Sequence, residues 1–445
     1  MESRKLQHWR LYLLSLVLGI GGSFQYGIQV SVIASLAVHI QSFVNQTWLL
    51  RYGSPVDDST NQLIWSFMVA VLSLGAWAGA IHSGSLPVTY GRKKALLFNN
   101  VVAVVAALLM LFSRMAQSFE MILLGRFLYG YNVGLGLSVH LMYLGECSPK
   151  KLRGVMTLTG SIFVGFGKVM GQIIGIKELM GTEDMWPYLL AISGIPAILQ
   201  FVALLFFPET PRYLYIDKGD SEGSKKALQW LWQEDNLKLE LDDMQKERDS
   251  TLGEKAKTVR DVLSSRCVRW QLLTLVIPCA GVQLCGINAL YFYAFDIFRE
   301  SGVPEDQMHY LSIGLGATEL ITVTLCSFLI DRAGRKKLMG YGYLLMGVTM
   351  CALTVTLSIK HLNSWLPYVN IGLIFCVICI YGLGPCEFLF ACPGVLLLTA
   401  AFLITFVPET KGKTMIEITE DFNKLNFKNR AVELERTDVD LATTF

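Results

Sequence analysis

Polar side chains inside long apolar runs are where this sequence could do chemistry. Gln283 and Asn288 sit in QLCGINALYFY, a stretch otherwise apolar or aromatic. An amide both donates and accepts hydrogen bonds. Within a membrane span it either lines a binding site or ties neighbouring helices together. Glu319 lies deep in another apolar run. An ionisable group there marks a functional site by default: it can accept from a hydroxyl, pair with a nearby base, or titrate. Tyr26, Tyr291 and Tyr293 are aromatics in spans, suited to packing and interface anchoring. Cys376 and Cys379 form a CxxC, but inside an apolar helix with no polar ligand beside it, so no metal site is expected. The polar stretch 208–269 has no Gly-rich phosphate loop and no ligand cluster. The chemistry on offer is recognition rather than catalysis, and no cofactor is called for.

The elements that must hold these groups are membrane helices. Of 445 residues, 53% are apolar and 17% charged, and the mean hydropathy is positive. A net charge of +2 gives no reason to expect a nucleic-acid partner. Runs long enough to span fall at 11–33, 62–86, 95–113, 119–144, 155–176, 187–207, 270–298, 309–330, 338–358 and 367–385, with a further run at 388–407. This is an all-α multi-pass membrane protein with ten or eleven spans. The first run is too long, and lacks the cleavage pattern, for a signal peptide. Basic clusters before Leu11, at Arg92–Lys94, at Lys150–Arg153, across 212–269 and at Arg332–Lys337 alternate with loops that carry about one base each. The positive-inside rule then puts the N-terminus and 208–269 in the cytoplasm. The loop 34–61 falls outside, where the sequon Asn45-Gln46-Thr47 can accept a glycan at Asn45. Leucines at helical spacing in 208–269 predict short amphipathic helices capping the cytoplasmic face.

The chain repeats itself. GRKK occurs at Gly91–Lys94 and Gly334–Lys337; PET occurs at Pro208–Thr210 and Pro408–Thr410. Two parallel six-helix halves joined by a cytoplasmic linker are a transporter architecture. The expected domains are 1–207 (first half), 208–269 (linker), 270–410 (shortened second half) and 411–445 (cytoplasmic tail). The markers lie 117 residues apart in the first half (208 − 91) and 74 in the second (408 − 334). The second half is therefore 43 residues short (117 − 74), nearly two spans. The place is GLGPCEFLFACPG, where one apolar run passes into the next without a loop.

As a set, GRKK, GECSPKKLRG, PETPR, QLCGINALYFY, DRAGRKK and PETKGKT resemble the facilitative hexose transporters, sugar porters of the major facilitator superfamily. SFQYG and the sequon resemble the class II branch, which includes the fructose transporter, and the chain looks most like member eleven. The resemblance implies a plasma-membrane carrier that moves a hexose, glucose or fructose, by alternating access. It implies uniport, because the carboxylate that proton-coupled relatives carry in the first helix is absent from Leu11–Ala34. It implies that Gln283 and Asn288 contact sugar, with Val282 standing where a further Gln is usual. It assigns Tyr26 to the site and Tyr291 and Tyr293 to an outer gate. Ser161 stands where many relatives have a sugar-binding Gln, and Glu319 where many have Asn. It implies cytoplasmic gating salt bridges among Arg92, Glu146, Arg153 and Arg212, with Asp331, Arg332 and Arg335 as second-half counterparts. The later Glu-Arg partner motif is missing; Glu387 is followed by FLFACPG. In the family, the absent residues hold the rest of helix ten and helix eleven. That leaves two other readings: a carrier of another polar solute such as urate, or a non-transporting short form associated with a full-length homologue.

Overall fold

The computed structural model describes residues 9–149, 152–233, 237–251, scattered positions between 272 and 299, 303–333, 335–359 and 365–383. Six helices in the first half are long and apolar enough to cross a membrane: α1 (Trp9–Ser35), α3 (Asp58–His82), α4 (Arg92–Phe112), α5 (Glu120–Cys147), α6 (Arg153–Ile174) and α7 (Trp186–Leu205). They fall where the hydropathy pattern predicts spans, within a few residues. Between α1 and α3 runs α2 (Ala37–Tyr52), in what the sequence suggests is a loop. Its buried Ile40, Phe43, Val44 and Thr47 recur at helical spacing and account for it.

Glycine sets a close helix contact. Gly75 and Gly79 of α3 face Gly130 and Gly134 of α5, and a Cβ at any of the four would strike backbone of the opposite helix. Small residues four apart on both partners let two membrane helices pack backbone to backbone. Gly91 is special for another reason: its φ of +99° is a conformation that side chains disfavour, and a Cβ there would strike Glu209. That explains the Gly of the first GRKK.

The linker does form short helices, α8 (Ser221–Trp232) and α9 (Lys238–Thr251). Their Leu228, Leu231, Trp232 and Met244 share one core cluster with Leu11, Leu96, Tyr143 and Leu204 of the spans. Trp232 Nε1 donates to the Cys147 carbonyl at 2.9 Å, and Arg10 Nη1 to the Trp230 carbonyl at 2.9 Å. The linker thus caps one end of the bundle.

The second half contributes α10 (Glu305–Ala333), α11 (Arg335–Ser358) and α12 (Leu366–Leu383). The chain forms two compact units. One comprises residues 1–253 with 291–295 and 304–320; the other comprises 254–290, 296–303 and 321–445. In the second unit α11 packs against α12, and Gly382 has no room for a Cβ beside Thr322. The anticipated run at 388–407 and the tail from 411 lie outside the described residues.

Candidate functional site

Two polar constellations stand out, both within the first unit. The first is buried among spans. From Gly154 to Ile174, α6 carries one charge, Lys168; from Met308 to Ile330, α10 carries one, Glu319. They meet. Lys168 Nζ lies 2.7 Å from Glu319 Oε1 and 3.0 Å from Oε2. The Tyr291 hydroxyl donates to Glu319 Oε2. Lys168 Nζ also sits over the Tyr291 ring, 4.4 Å from its centroid. Exposure is 2% for Lys168, 2% for Glu319 and 1% for Tyr291. With so little water, a charge is tolerable only when paired and hydrogen-bonded.

The helices supply the geometry. Ser161, Gly165, Lys168 and Gln172 recur at helical spacing on one face of α6. A Cβ on Gly165 would touch Leu320, and Gly316 lies against the Gln172 side chain. The face of α6 bearing Ser161 is therefore laid along the stretch of α10 bearing Glu319. Tyr26 on α1 and Ser161 on α6 are half-buried. Tyr291 and Glu319 are brought together; Gln283, Asn288 and Tyr293 lie outside the described residues. Sequence reasoning missed Lys168. Its signal was a lone base inside an apolar span, the natural complement to the lone acid already singled out.

The second constellation lies at the end capped by the linker. Arg92 Nε and Nη2 donate to Glu146 Oε1 at 3.0 and 2.8 Å, and Nη1 to Asp217 Oδ2 at 2.8 Å. The Thr210 hydroxyl donates to the other Glu146 oxygen at 2.6 Å. Glu209 accepts from the backbone N–H groups of Arg92, Lys93 and Thr210 at 3.1, 3.0 and 3.0 Å. An acid at the start of α4 satisfies orphan donors and suits the positive end of the helix dipole. Burial nevertheless pushes the Glu209 carboxyl above its ordinary range, against the pull of those three N–H groups. Lys93 Nζ donates to the carbonyls of Leu205 and Phe207 at 3.1 and 2.7 Å. GRKK and PET thus form one joint. Arg212 pairs with Glu247 at 2.7 Å and Glu240 at 3.7 Å, both on α9. Arg153 makes no ion pair with a described residue, and its Nε and Nη2 find no partner among them. The side chains of Asp331, Arg332 and Arg335 lie outside the described residues.

Six helices long and apolar enough to cross a membrane, a buried ion pair packed against them and a charged joint at one end define a polytopic helical membrane protein. The comparisons agree. The family described as "Sugar (and other) transporter" matches residues 14–393. The human solute carrier family 2 facilitated glucose transporter member 11 is 38% identical over 96% of this chain and 96% of its own length. Human member 5 is 36% identical over 94% of this chain and 92% of its own. The solved MFS proton:xylose symporter bound to 6-bromo-6-deoxy-D-glucose superposes with a TM-score of 0.77 at 19% identity, covering 93% of this chain and 99% of that one. The chain belongs to the sugar transporter family and, within it, to the facilitated glucose transporters of solute carrier family 2. Its fold is that of the major facilitator superfamily. One difference is quantitative. The match to member 11 runs over 477 positions against 445 residues here, so at least 32 positions (477 − 445) have no counterpart in this chain.

Proposed function

We propose that this chain carries a hexose, glucose or fructose, across the plasma membrane by facilitated uniport, with its N-terminus in the cytoplasm. The observation that carries the reading is the 38% identity to a facilitated glucose transporter over nearly the whole of both chains. On this reading Gln283, Asn288, Tyr26, Ser161, Tyr291, Tyr293 and Glu319 attend the sugar. Amides and a carboxylate suit hydroxyls, and aromatic faces suit the apolar faces of a pyranose or furanose ring. Arg92, Glu146, Arg153 and Arg212, with Asp331, Arg332 and Arg335, form the cytoplasmic gate, and Asn45 carries a glycan outside. The test is competition: labelled fructose and labelled glucose uptake by cells expressing the chain, each challenged with the unlabelled sugars and with urate. Uptake of neither sugar above untransfected cells overturns the reading.

A second reading has its own support: a short form that does not transport. The marker spacing in the second half is 43 residues short (117 − 74), and the match to member 11 leaves at least 32 positions (477 − 445) unpaired. We place the loss near residue 386, within family helices ten and eleven. A folded protein at the cell surface with no flux would favour it.

A further inference from the structure

Lys168 has no role in the proposed sugar site above, yet it is a charged side chain only 2% exposed. It makes a two-oxygen contact with Glu319 (2.7 and 3.0 Å), supported by Tyr291 from a third segment. Of the described residues, the titratable groups bonded to Glu319 are these two, Lys168 from α6 and Tyr291 from the segment before α10. Resting on the uniport reading above, we propose that Lys168 is the built-in counter-ion of Glu319. It holds that carboxylate ionised and oriented toward a neutral polyhydroxyl substrate, so that transport needs no proton.

The physical argument is one of charge compensation. A carboxylate buried beside a substrate path is neutralised by a counter-charge or by a proton. A proton must come from one side of the membrane, and a carrier that binds it with substrate couples the two fluxes. A lysine on the same framework supplies the counter-charge from the protein itself. Here the ammonium bridges both carboxylate oxygens, and the Tyr291 ring face adds a cation–π contact at 4.4 Å. The Tyr291 hydroxyl donates to the same carboxylate and fixes its orientation. An ionised carboxylate only accepts, so it selects substrate donors such as sugar hydroxyls and disfavours anionic solutes. Lys168 is a positioning residue in this scheme: it acts on substrate through Glu319.

The test uses the purified full chain and variants K168M, K168R, E319Q and K168M/E319Q. Infrared spectroscopy at neutral pH reads the carbonyl stretch of a protonated carboxylic acid, assigned to Glu319 by its loss on E319Q. Wild type and K168R should show no such band; K168M should gain one that K168M/E319Q lacks. In vesicles loaded with a pH-sensitive dye, wild-type fructose or glucose uptake should be flat with pH and leave the dye unchanged. K168M uptake should rise at least tenfold from pH 8 to pH 6, about one decade per pH unit at most for a single proton. K168M/E319Q should be flat again. A Glu319-dependent acid band in wild type overturns the proposal, as does K168M with no new band. Should K168M not fold, the wild-type spectrum alone still decides. Absence of sugar flux in wild type with the infrared pattern as stated would defeat the uniport reading and leave the counter-ion standing.

Discussion

Removing Arg92 from the GRKK–PET joint gives the sharpest energetic prediction. Arg92 places two N–H groups on Glu146 Oε1, at 3.0 and 2.8 Å, and the two side chains are 10% and 15% exposed. A hydrogen bond to a charged group is worth about 1.5–3 kcal/mol net. The two bonds share one acceptor oxygen, so together they count for about 2–3 kcal/mol. The bond to Asp217 goes to a side chain 32% exposed, where water substitutes more readily. Arg92→Met should therefore destabilise by about 3 kcal/mol, leaving Glu146 buried with Thr210 as its remaining partner among those described. Glu146→Gln should cost about 2 kcal/mol. The double variant should be little worse than Arg92→Met, giving a coupling of about 2 kcal/mol, a factor of about thirty in the unfolding equilibrium. The assay is reversible unfolding of the four proteins in mixed micelles, followed by tryptophan fluorescence. Additivity within about 0.5 kcal/mol would refute the reasoning and reduce the GRKK arginine to a topology signal.

Three further outcomes follow. Gly130→Ala should lower stability by about 1–3 kcal/mol, because the new methyl meets the Leu72 carbonyl across the α3–α5 contact, while Gly84→Ala, with open space around it, should not; thermal melting of the two variants side by side checks this. Burial raises the Glu209 carboxyl above its ordinary 4.5, so the folded chain binds more protons than the unfolded one between 4.5 and the raised value. Stability should fall as pH rises through that window and level off above it, and Glu209→Gln should lose that slope in melting curves taken from pH 4 to 7. Asn45→Gln should abolish the mobility shift on N-glycosidase treatment of protein from a secretory host; a shift that persists would place the glycan elsewhere.

Much of the fold was legible because membrane crossing imposes a length and a composition that few other roles require. The six first-half spans start and end within a few residues of the apolar runs. The linker helices α8 and α9 were legible too, since Leu228 and Leu231 mark a buried face. Helix α2 was missed because its mix of Gln, Asn and Arg with apolar residues reads as a loop when only long apolar runs are sought. At the site, Glu319 and Lys168 are each visible as a lone charge in an apolar span, but that the two meet is not. Charge pairing between helices 151 positions apart is a tertiary fact that no local pattern encodes. Arg212 shows the same limit: PETPR marks it as a gating base, yet the structure gives it Glu240 and Glu247 of α9. The acids it meets depend on how the linker folds back.

The central claim is that this chain, although at least 32 positions (477 − 445) shorter than its match in member 11, moves a hexose down its gradient. The most direct measurement is counterflow: purified protein in vesicles preloaded with unlabelled fructose or glucose, diluted into trace labelled sugar. The account predicts a transient, saturable accumulation of label that collapses when the preload is omitted. Accumulation no greater than in protein-free vesicles, from protein shown to be folded and inserted, would contradict it.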